Sequence, residues 1–191
     1  MILSLKYKGY GLSLFLKKNK ITYNADSELK AQTAHINDKG NYIELLYFIE
    51  GDTSYFIEGE YYALSPSDIV FSNPTEIHGI VHSSPCTYKR LCIAVCPDFF
   101  MINNLENLYQ VFSNKYPGEG NYISRESDLG KLLKPLFEQI LEYMPDADSM
   151  GHQISSIMIE IVKIIASDIT HFHGEVSNPL LRKVISYIID N

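Results

Sequence analysis

The hydrophobic pattern changes its period at Pro97, and this change constrains the fold more than any other feature of the chain. From about residue 12 to residue 96, short runs rich in Tyr, Phe, Ile and Val alternate with turn-forming residues. After Pro97, apolar residues recur at helical spacing, as at Leu105, Leu108 and Phe112. The sequence therefore predicts a mainly β domain, a sandwich or small barrel, followed by helices.

Turn-forming residues divide the β part at six places. These are DKGN (38–41), EGD (50–52), EGE (58–60), SPSD (65–68), SNPTE (72–76) and HSSP (82–85). Gly, Pro, Asn, Asp and Ser are frequent in turns because each stabilises a turn conformation in its own way. We therefore expect a strand on either side of each segment.

Two long helices are predicted after Pro97, at about residues 126–144 and 149–170. The first has one broad apolar face, and Pro135 is expected to kink it. The second has an apolar stripe wider than one neighbouring surface requires. Either part of this stripe contacts a partner subunit, or the helix is enclosed between the β domain and the other helix; the sequence leaves both open. The residues that we predict for a homodimer interface are Ile154, Met158, Ile161 and Ile165.

The charge balance argues against nucleic-acid binding by this chain alone. Its 16 Lys and Arg against 23 Asp and Glu give a net charge of -7, so no general basic field is present to hold a phosphate backbone. The three cysteines, Cys86, Cys92 and Cys96, fit neither a disulfide framework nor a zinc knuckle. No signal peptide and no long uncharged apolar segment is recognisable. These features predict a cytoplasmic protein without a membrane segment.

The last residues have the pattern of a helix that has just begun. In the segment SNPLLRKVISYIIDN (177–191), Asn178 suits the N-cap and Pro179 the first helical position. An apolar stripe follows, and no further segment is present to cover it. The preceding HFHGEVS (171–177) contains a Gly and no apolar period, which predicts a short linker.

The stretch from residue 44 to residue 78 resembles the cupins. It has Glu44 six residues before Gly51, a hairpin at Gly59, and His78 after a further strand. The order of the whole chain then narrows the resemblance: a cupin-like part, the segment YKRLCIAVCPDFF, two amphipathic helices and the stub NPLLRKVISYI. This succession resembles the AraC type of bacterial transcription regulator over essentially every residue.

The resemblance implies the fold and the domain organisation. We expect a mainly β protein with α, in which a cupin-like (double-stranded β-helix) barrel precedes an antiparallel pair of helices. Residues 1–102 would form the ligand-sensing barrel and residues 103–172 a helical dimerisation region. Residues 173–191 would be a linker and the first helix of a truncated helix-turn-helix DNA-binding domain.

The resemblance also implies a function in transcription regulation. A small polar metabolite, with a sugar as the expected type, would bind in the barrel of each subunit of a homodimer. It would order an N-terminal arm or shift the helices, and so change how the two DNA-binding halves meet spaced half-sites. DNA would be contacted only through the missing C-terminal domain, so sugar sensing is the function expected of this chain.

Alternation along strands places His78, Ile80 and His82 on one face, and likewise Tyr88, Arg90, Cys92 and Ala94. In the regulators that the chain resembles, ligand contacts come from the last two barrel strands, from the strand entry near His35 and from an N-terminal arm. The ligand-binding residues predicted on this basis are His35, Glu44, His78, Ile80, Arg90 and Cys92.

Two of these assignments keep an alternative. The Arg90 guanidinium either points to solvent or is buried against an anion or a carbohydrate hydroxyl. Tyr7 and Tyr10, which flank Gly9 and Gly11, are either arm contacts or residues of a plain edge strand.

The rival hypothesis is a metal-dependent single-domain cupin enzyme, an isomerase or a dioxygenase. Cupin enzymes usually hold a divalent metal through a His-x-His pair, a Glu and a later His. Here His35, Glu44 and His78 would have to serve, because Asn37 stands where the pair partner of His35 belongs. We therefore predict no catalytic residue, no cofactor and no metal, and metal content separates the two hypotheses. A free-standing binding protein is the third possibility.

Overall fold

The computed structural model describes residues 3–22, 32–35 and 41–175. The strands within these ranges are β1 (Leu3–Gly9), β2 (Leu12–Lys20), β3 (Gln32–His35), β4 (Ile43–Glu50), β5 (Thr53–Ile57), β6 (Glu60–Ala63), β7 (Ile69–Ser72), β8 (His78–His82), β9 (Thr87–Val95) and β10 (Tyr122–Ile123). The α-helices are α1 (Pro97–Ile102), α2 (Glu106–Ser113), α3 (Asp128–Tyr143) and α4 (Gly151–Glu175). A short 3-10 helix, Met144–Asp146, follows α3. The predicted change of period at Pro97 is confirmed, since α1 begins there.

The strands form two antiparallel sheets. The large sheet has the order β1-β2-β9-β4-β7-β10, and the small sheet has the order β3-β8-β5-β6. Neighbouring strands are often distant in the chain: β9 lies between β2 and β4, and β8 between β3 and β5. The two sheets together therefore form one unit rather than a series of independent hairpins.

Alternation along the strands of the large sheet separates two cores. On one face, side chains such as Leu45, Leu91 and Ile93 pack against the helices. On the other face, Leu46 and Tyr88 belong to a second apolar cluster that includes residues of the small sheet. One face of the large sheet thus carries the helices, and the space between the sheets is the barrel interior.

The predicted turns within the described ranges lie at or between strand ends. EGE joins β5 to β6, and its Glu58 and Gly59 have positive φ angles of 48° and 97°. SPSD lies between β6 and β7, where Ser67 has a φ of 78°. Of DKGN, residues 38–40 lie outside the described residues.

The helices α3 and α4 pack against each other and against the large sheet. Ser127 caps α3, because its Oγ accepts a hydrogen bond of 2.9 Å from the Gly130 amide. The side chains of Leu133, Phe137 and Ile140 then face the core. Pro135 lies inside α3 and is exposed.

The predicted dimer seam on α4 is wrong in its residues. The side chains of Ile154, Met158, Ile161 and Ile165 are at most 1% exposed within the single chain. They belong to the core between the helices and the large sheet, so they cannot reach a second subunit. The wide apolar stripe is explained by enclosure of α4 between the sheet and the other helices, which was the alternative.

The end of α4 also differs from the prediction. The helix continues to Glu175, so residues 171–175 are helical instead of forming a linker. The stub at 177–191 lies outside the described residues.

The two tyrosines of the N-terminal segment face the helices rather than the barrel interior. Strand β1 is an edge strand paired with β2, and Tyr7 belongs to the core on the helix side. The Tyr10 hydroxyl forms a hydrogen bond of 2.8 Å with Nε2 of His152 on α4. The edge-strand interpretation therefore holds for Tyr7, whereas Tyr10 lies in the turn between β1 and β2 with a φ of 53°; both side chains lie on the helix side of the sheet.

No helix within the described ranges is both long and apolar enough to cross a bilayer.

Candidate ligand-binding site

Polar side chains collect in the barrel interior, on strands β5, β8 and β9. Thr53, His78, His82 and Arg90 are all buried, although side chains of these types usually stay in contact with water. Alternation brings His78 and His82 to the same face, because they are four positions apart on β8. Arg90 is 8% exposed, so the inward alternative for its guanidinium is the one that the structure shows.

Three of the interior residues form a contiguous group, which we call the polar cluster: His82, Tyr88 and Arg90. The Arg90 Cζ atom lies 4.2 Å from the centroid of the Tyr88 ring. The His82 and Tyr88 ring centroids are 4.7 Å apart, in an edge-on arrangement. Each member has one buried polar atom without a hydrogen-bond partner among the described residues: His82 Nε2, the Tyr88 hydroxyl and Arg90 Nη1.

Two members of the polar cluster are uncharged at neutral pH. The pKa of His82 is lowered, mainly by burial and further by the neighbouring Arg90. The pKa of Tyr88 is raised, mainly by burial. Thr53 Oγ1 lies 2.9 Å from His82 Nδ1 and fixes the imidazole ring. At neutral pH the cluster therefore combines one cation with a neutral imidazole and a phenol, all able to hydrogen-bond.

A second polar pair, Glu44 and His78, lies in the same interior. His78 Nδ1 donates a hydrogen bond of 2.8 Å to the Glu76 carbonyl oxygen, which can only accept. His78 Nε2 then faces Glu44, at 3.9 Å from Oε2. The Tyr55 ring stacks on the imidazole with a centroid distance of 6.0 Å. The Glu44 side chain is 25% exposed, so this pair is more accessible than the polar cluster.

The remaining predicted ligand residues lie at different positions around the interior. Ile80 and Cys92 are partly buried against the apolar cluster of the barrel. Burial, reinforced by Glu44, raises the pKa of Cys92 to about 11, so its thiol is protonated at neutral pH. The backbone of His35 pairs with His78 in the small sheet, and the His35 side chain lies outside what the structure describes.

Within the described side chains, no group of three His, Cys, Asp or Glu residues is arranged to hold a metal ion. The pair Glu44 and His78 provides two such groups, with 3.9 Å between Oε2 and Nε2. The cysteines Cys86, Cys92 and Cys96 are all free.

Three residues of the site were not among those predicted: Thr53, His82 and Tyr88. Alternation had placed His82 and Tyr88 on the correct faces, but those faces alone did not single them out. The available signal was a His at the end of β8 and a Tyr near the start of β9. Thr53 had no such signal, because its role depends on the pairing of β5 with β8, where it lies opposite His82.

A family model, the AraC-like ligand binding domain, matches residues 26–162 of the chain. No functionally curated protein matches it in sequence.

Several solved structures are similar to this chain. The AraC-like transcriptional activator CuxR superimposes with a TM-score of 0.55 at 8% identity, over 87% of this chain and 55% of CuxR. A cupin superfamily protein from Desulfitobacterium hafniense gives a TM-score of 0.39 at 14% identity, over 50% of this chain and 78% of that one. A cupin from Bacteroides fragilis gives 0.36 at 19% identity, over 45% and 66%.

The predicted fold class, a cupin-like barrel followed by a helix pair, is confirmed by the two antiparallel sheets, by the helices that follow them and by the similarity to CuxR. Because the family model matches residues 26–162, which is more than half of the chain, the chain belongs to the family of AraC-like ligand-binding domains.

Proposed function

We propose that this chain is the sensor part of a cytoplasmic AraC-type transcription regulator. In this proposal a small polar metabolite, a sugar or a sugar derivative, binds between the two sheets and controls DNA binding by a C-terminal helix-turn-helix domain. The observation that carries the proposal is the polar cluster, in which three buried polar atoms have no partner among the described residues.

The energetic cost of such a cluster supports a ligand. A buried donor or acceptor without a partner costs about 1–3 kcal/mol, and more when the group is charged. A metabolite with several hydroxyl groups would meet these atoms with both donors and acceptors. The Tyr88 and Tyr55 rings add apolar surface beside them, as is common in pockets that bind carbohydrates and other small polar molecules.

A hydrogen-bonded route from the barrel interior to the helical region supports control by the ligand. His78 binds the carbonyl oxygen of Glu76, and the carboxylate of the same residue accepts from Lys115 at 2.5 Å. Asn121 donates to that carboxylate at 2.8 Å. Lys115 follows α2 and Asn121 precedes β10. A ligand that moved His78 would therefore act on the segment between the helices, provided that it binds one arrangement better than the other.

Dimerisation and DNA binding belong to the same proposal. Residues 1–102 would sense the ligand, residues 103–172 would mediate a homodimer, and residues 173–191 would lead into the DNA-binding domain. Since the seam on α4 is internal, a helical contact between subunits would use another surface, such as that around Leu132 on α3, which is 56% exposed. Sedimentation equilibrium at high micromolar concentration tests this part, and a monomer would contradict it.

Thermal unfolding of the chain with a panel of monosaccharides, disaccharides and sugar acids tests the sensor proposal. A ligand at a hundred times its dissociation constant adds about 2.7 kcal/mol, which raises Tm by roughly 5–10 °C for a chain of this size. The matched pair of variants is Tyr88→Phe in the cluster and Tyr47→Phe on the opposite face of the sheet. The first should reduce the ligand-dependent shift, and the second should preserve it.

Parallel wells with a chelator and with divalent metals test the enzyme hypothesis. If the chelator lowers Tm, added metal restores it and no sugar has an effect, then the sensor proposal fails and a metal-dependent cupin enzyme using Glu44 and His78 takes its place.

A further inference from the structure

The Arg90 guanidinium is a buried charge without a counter-charge among the described residues. Its Nη1 atom is buried and has no hydrogen-bond partner there, and no carboxylate in those ranges forms an ion pair with it. The acid on the same interior face is Glu44 of β4, but it lies opposite Ala94, whereas Arg90 lies opposite Phe48. Four residues of strand separate the two, about 13 Å, and Glu44 faces His78 instead.

A second cation, Lys17, lies beside Arg90. Strand β2 pairs with β9 so that Lys17 is directly opposite Arg90, and directly opposite residues project their side chains to the same side of a sheet. Lys17 is half-buried, its Nζ lies 5.3 Å from the Phe15 ring centroid, and it too has no carboxylate partner within the described ranges. Its charge and that of Arg90 both oppose the rise in the pKa of Cys92 that burial causes.

Two like charges at directly opposite positions destabilise a sheet, and a buried charge without a partner is costly. Both costs disappear when an anion lies between the two side chains. Arg is moreover the residue that best matches the paired oxygens of a carboxylate or phosphate.

We infer that the metabolite bound in the barrel carries an anionic group, a carboxylate or a phosphate, and that Arg90 and Lys17 hold this group. The inference rests on the proposed function and narrows it from sugars in general to sugar acids, sugar phosphates and similar anionic molecules. The His82 imidazole and the Tyr88 hydroxyl would bind the neutral part of the same molecule, because they adjoin Arg90 on the interior face.

Calorimetric titration and thermal unfolding with matched compounds test the inference. The pairs are galactose with galacturonate, glucose with glucuronate, and glucose with glucose 6-phosphate. The charged member of at least one pair should bind and raise Tm, with its neutral parent much weaker, and the uronate and phosphate arms tell the two anionic groups apart. Loss of one partner of a buried charge pair should weaken that binding by at least about thirtyfold in Arg90→Met.

Matched control variants are available on the same strands. Lys89→Met and Lys18→Met change neighbouring residues that pair with each other on the opposite face of the sheet, and both should leave anion binding unchanged. Lys17→Met should weaken it as Arg90→Met does, and because Lys17 is only half-buried, this variant serves if Arg90→Met does not fold.

The outcomes separate the inference from the function on which it rests. If neutral sugars bind as tightly as their acids and phosphates, or if both charge-removal variants bind anions like the wild type, the anionic inference is overturned and the sensor proposal stands. If no compound of either kind raises Tm, both are overturned.

Discussion

Replacing Tyr88 by Phe separates a ligand site from an ordinary polar core. The substitution removes the buried hydroxyl, which has no partner among the described residues, and keeps the ring that contacts His82 and Arg90. An unpaired buried hydroxyl costs about 1–3 kcal/mol. Without ligand, the free energy of unfolding of the variant should therefore equal that of the wild type or exceed it by about 1 kcal/mol, which corresponds to a Tm increase of roughly 2–4 °C.

Tyr47→Phe is the matched control, and it should have the opposite sign. Tyr47 is also buried, but on the helix side of β4, and its hydroxyl donates to Ser67 Oγ at 3.1 Å. Removing a satisfied hydrogen bond costs about 0.5–1.5 kcal/mol. Urea unfolding at pH 7, with equal m-values as the condition for comparing the two variants, provides the measurement.

The result that refutes the reasoning is a loss of stability. If Tyr88→Phe without ligand loses 1 kcal/mol or more, as a buried and satisfied hydroxyl would, then the Tyr88 hydroxyl has a partner in the free chain. The polar cluster would then be a closed structural network that requires no ligand.

Three further predictions concern stability. The folded-state pKa of His82 lies below its ordinary value, so the unfolded state takes up the proton first, and the free energy of unfolding should fall as the pH drops below about 6.5, by at most about 1.4 kcal/mol per pH unit. The variant His82→Gln should flatten this pH dependence, whereas His152→Gln, at an exposed position, should not. An unchanged slope in His82→Gln would exclude His82 as its source. Breaking the buried ion pair by Glu76→Gln or Lys115→Met should each cost about 3–5 kcal/mol in urea unfolding, with a double variant costing less than the sum; strict additivity would show that the two charges do not interact. Helix propensity favours Gly130→Ala by about 1 kcal/mol, yet an added Cβ would lie 2.1 Å from a backbone carbonyl oxygen, so calorimetry should show a lower Tm. A higher Tm would mean that the loop before α3 shifts to accommodate the Cβ.

The strands and turns were predictable because their signals are local. Alternation along β8 and β9 gave the faces of His78, Arg90 and Cys92, and Gly, Pro and Asp gave the turns between strands. The fold class was predictable from the order of these elements and from the resemblance to AraC-type regulators.

What covers an apolar face was not predictable from the face itself. The stripe on α4 has the same periodicity whether a subunit or the chain's own sheet lies against Met158, and the structure places the sheet and the other helices there. The buried pair Glu76 and Lys115 was missed for a related reason. The two residues are 39 positions apart, and each taken alone looks like a surface charge.

The strand β9 has consequences for how a domain of this kind changes over time. Its even-numbered residues Tyr88, Arg90 and Cys92 face the barrel interior, while Leu91, Ile93 and Val95 pack against the helices. Substitutions at the even positions alter the chemistry of the interior without removing a contact to the helices. After gene duplication, one or two changes on this strand could therefore give the domain a new effector specificity. The packing that connects the barrel interior to the helices would be kept.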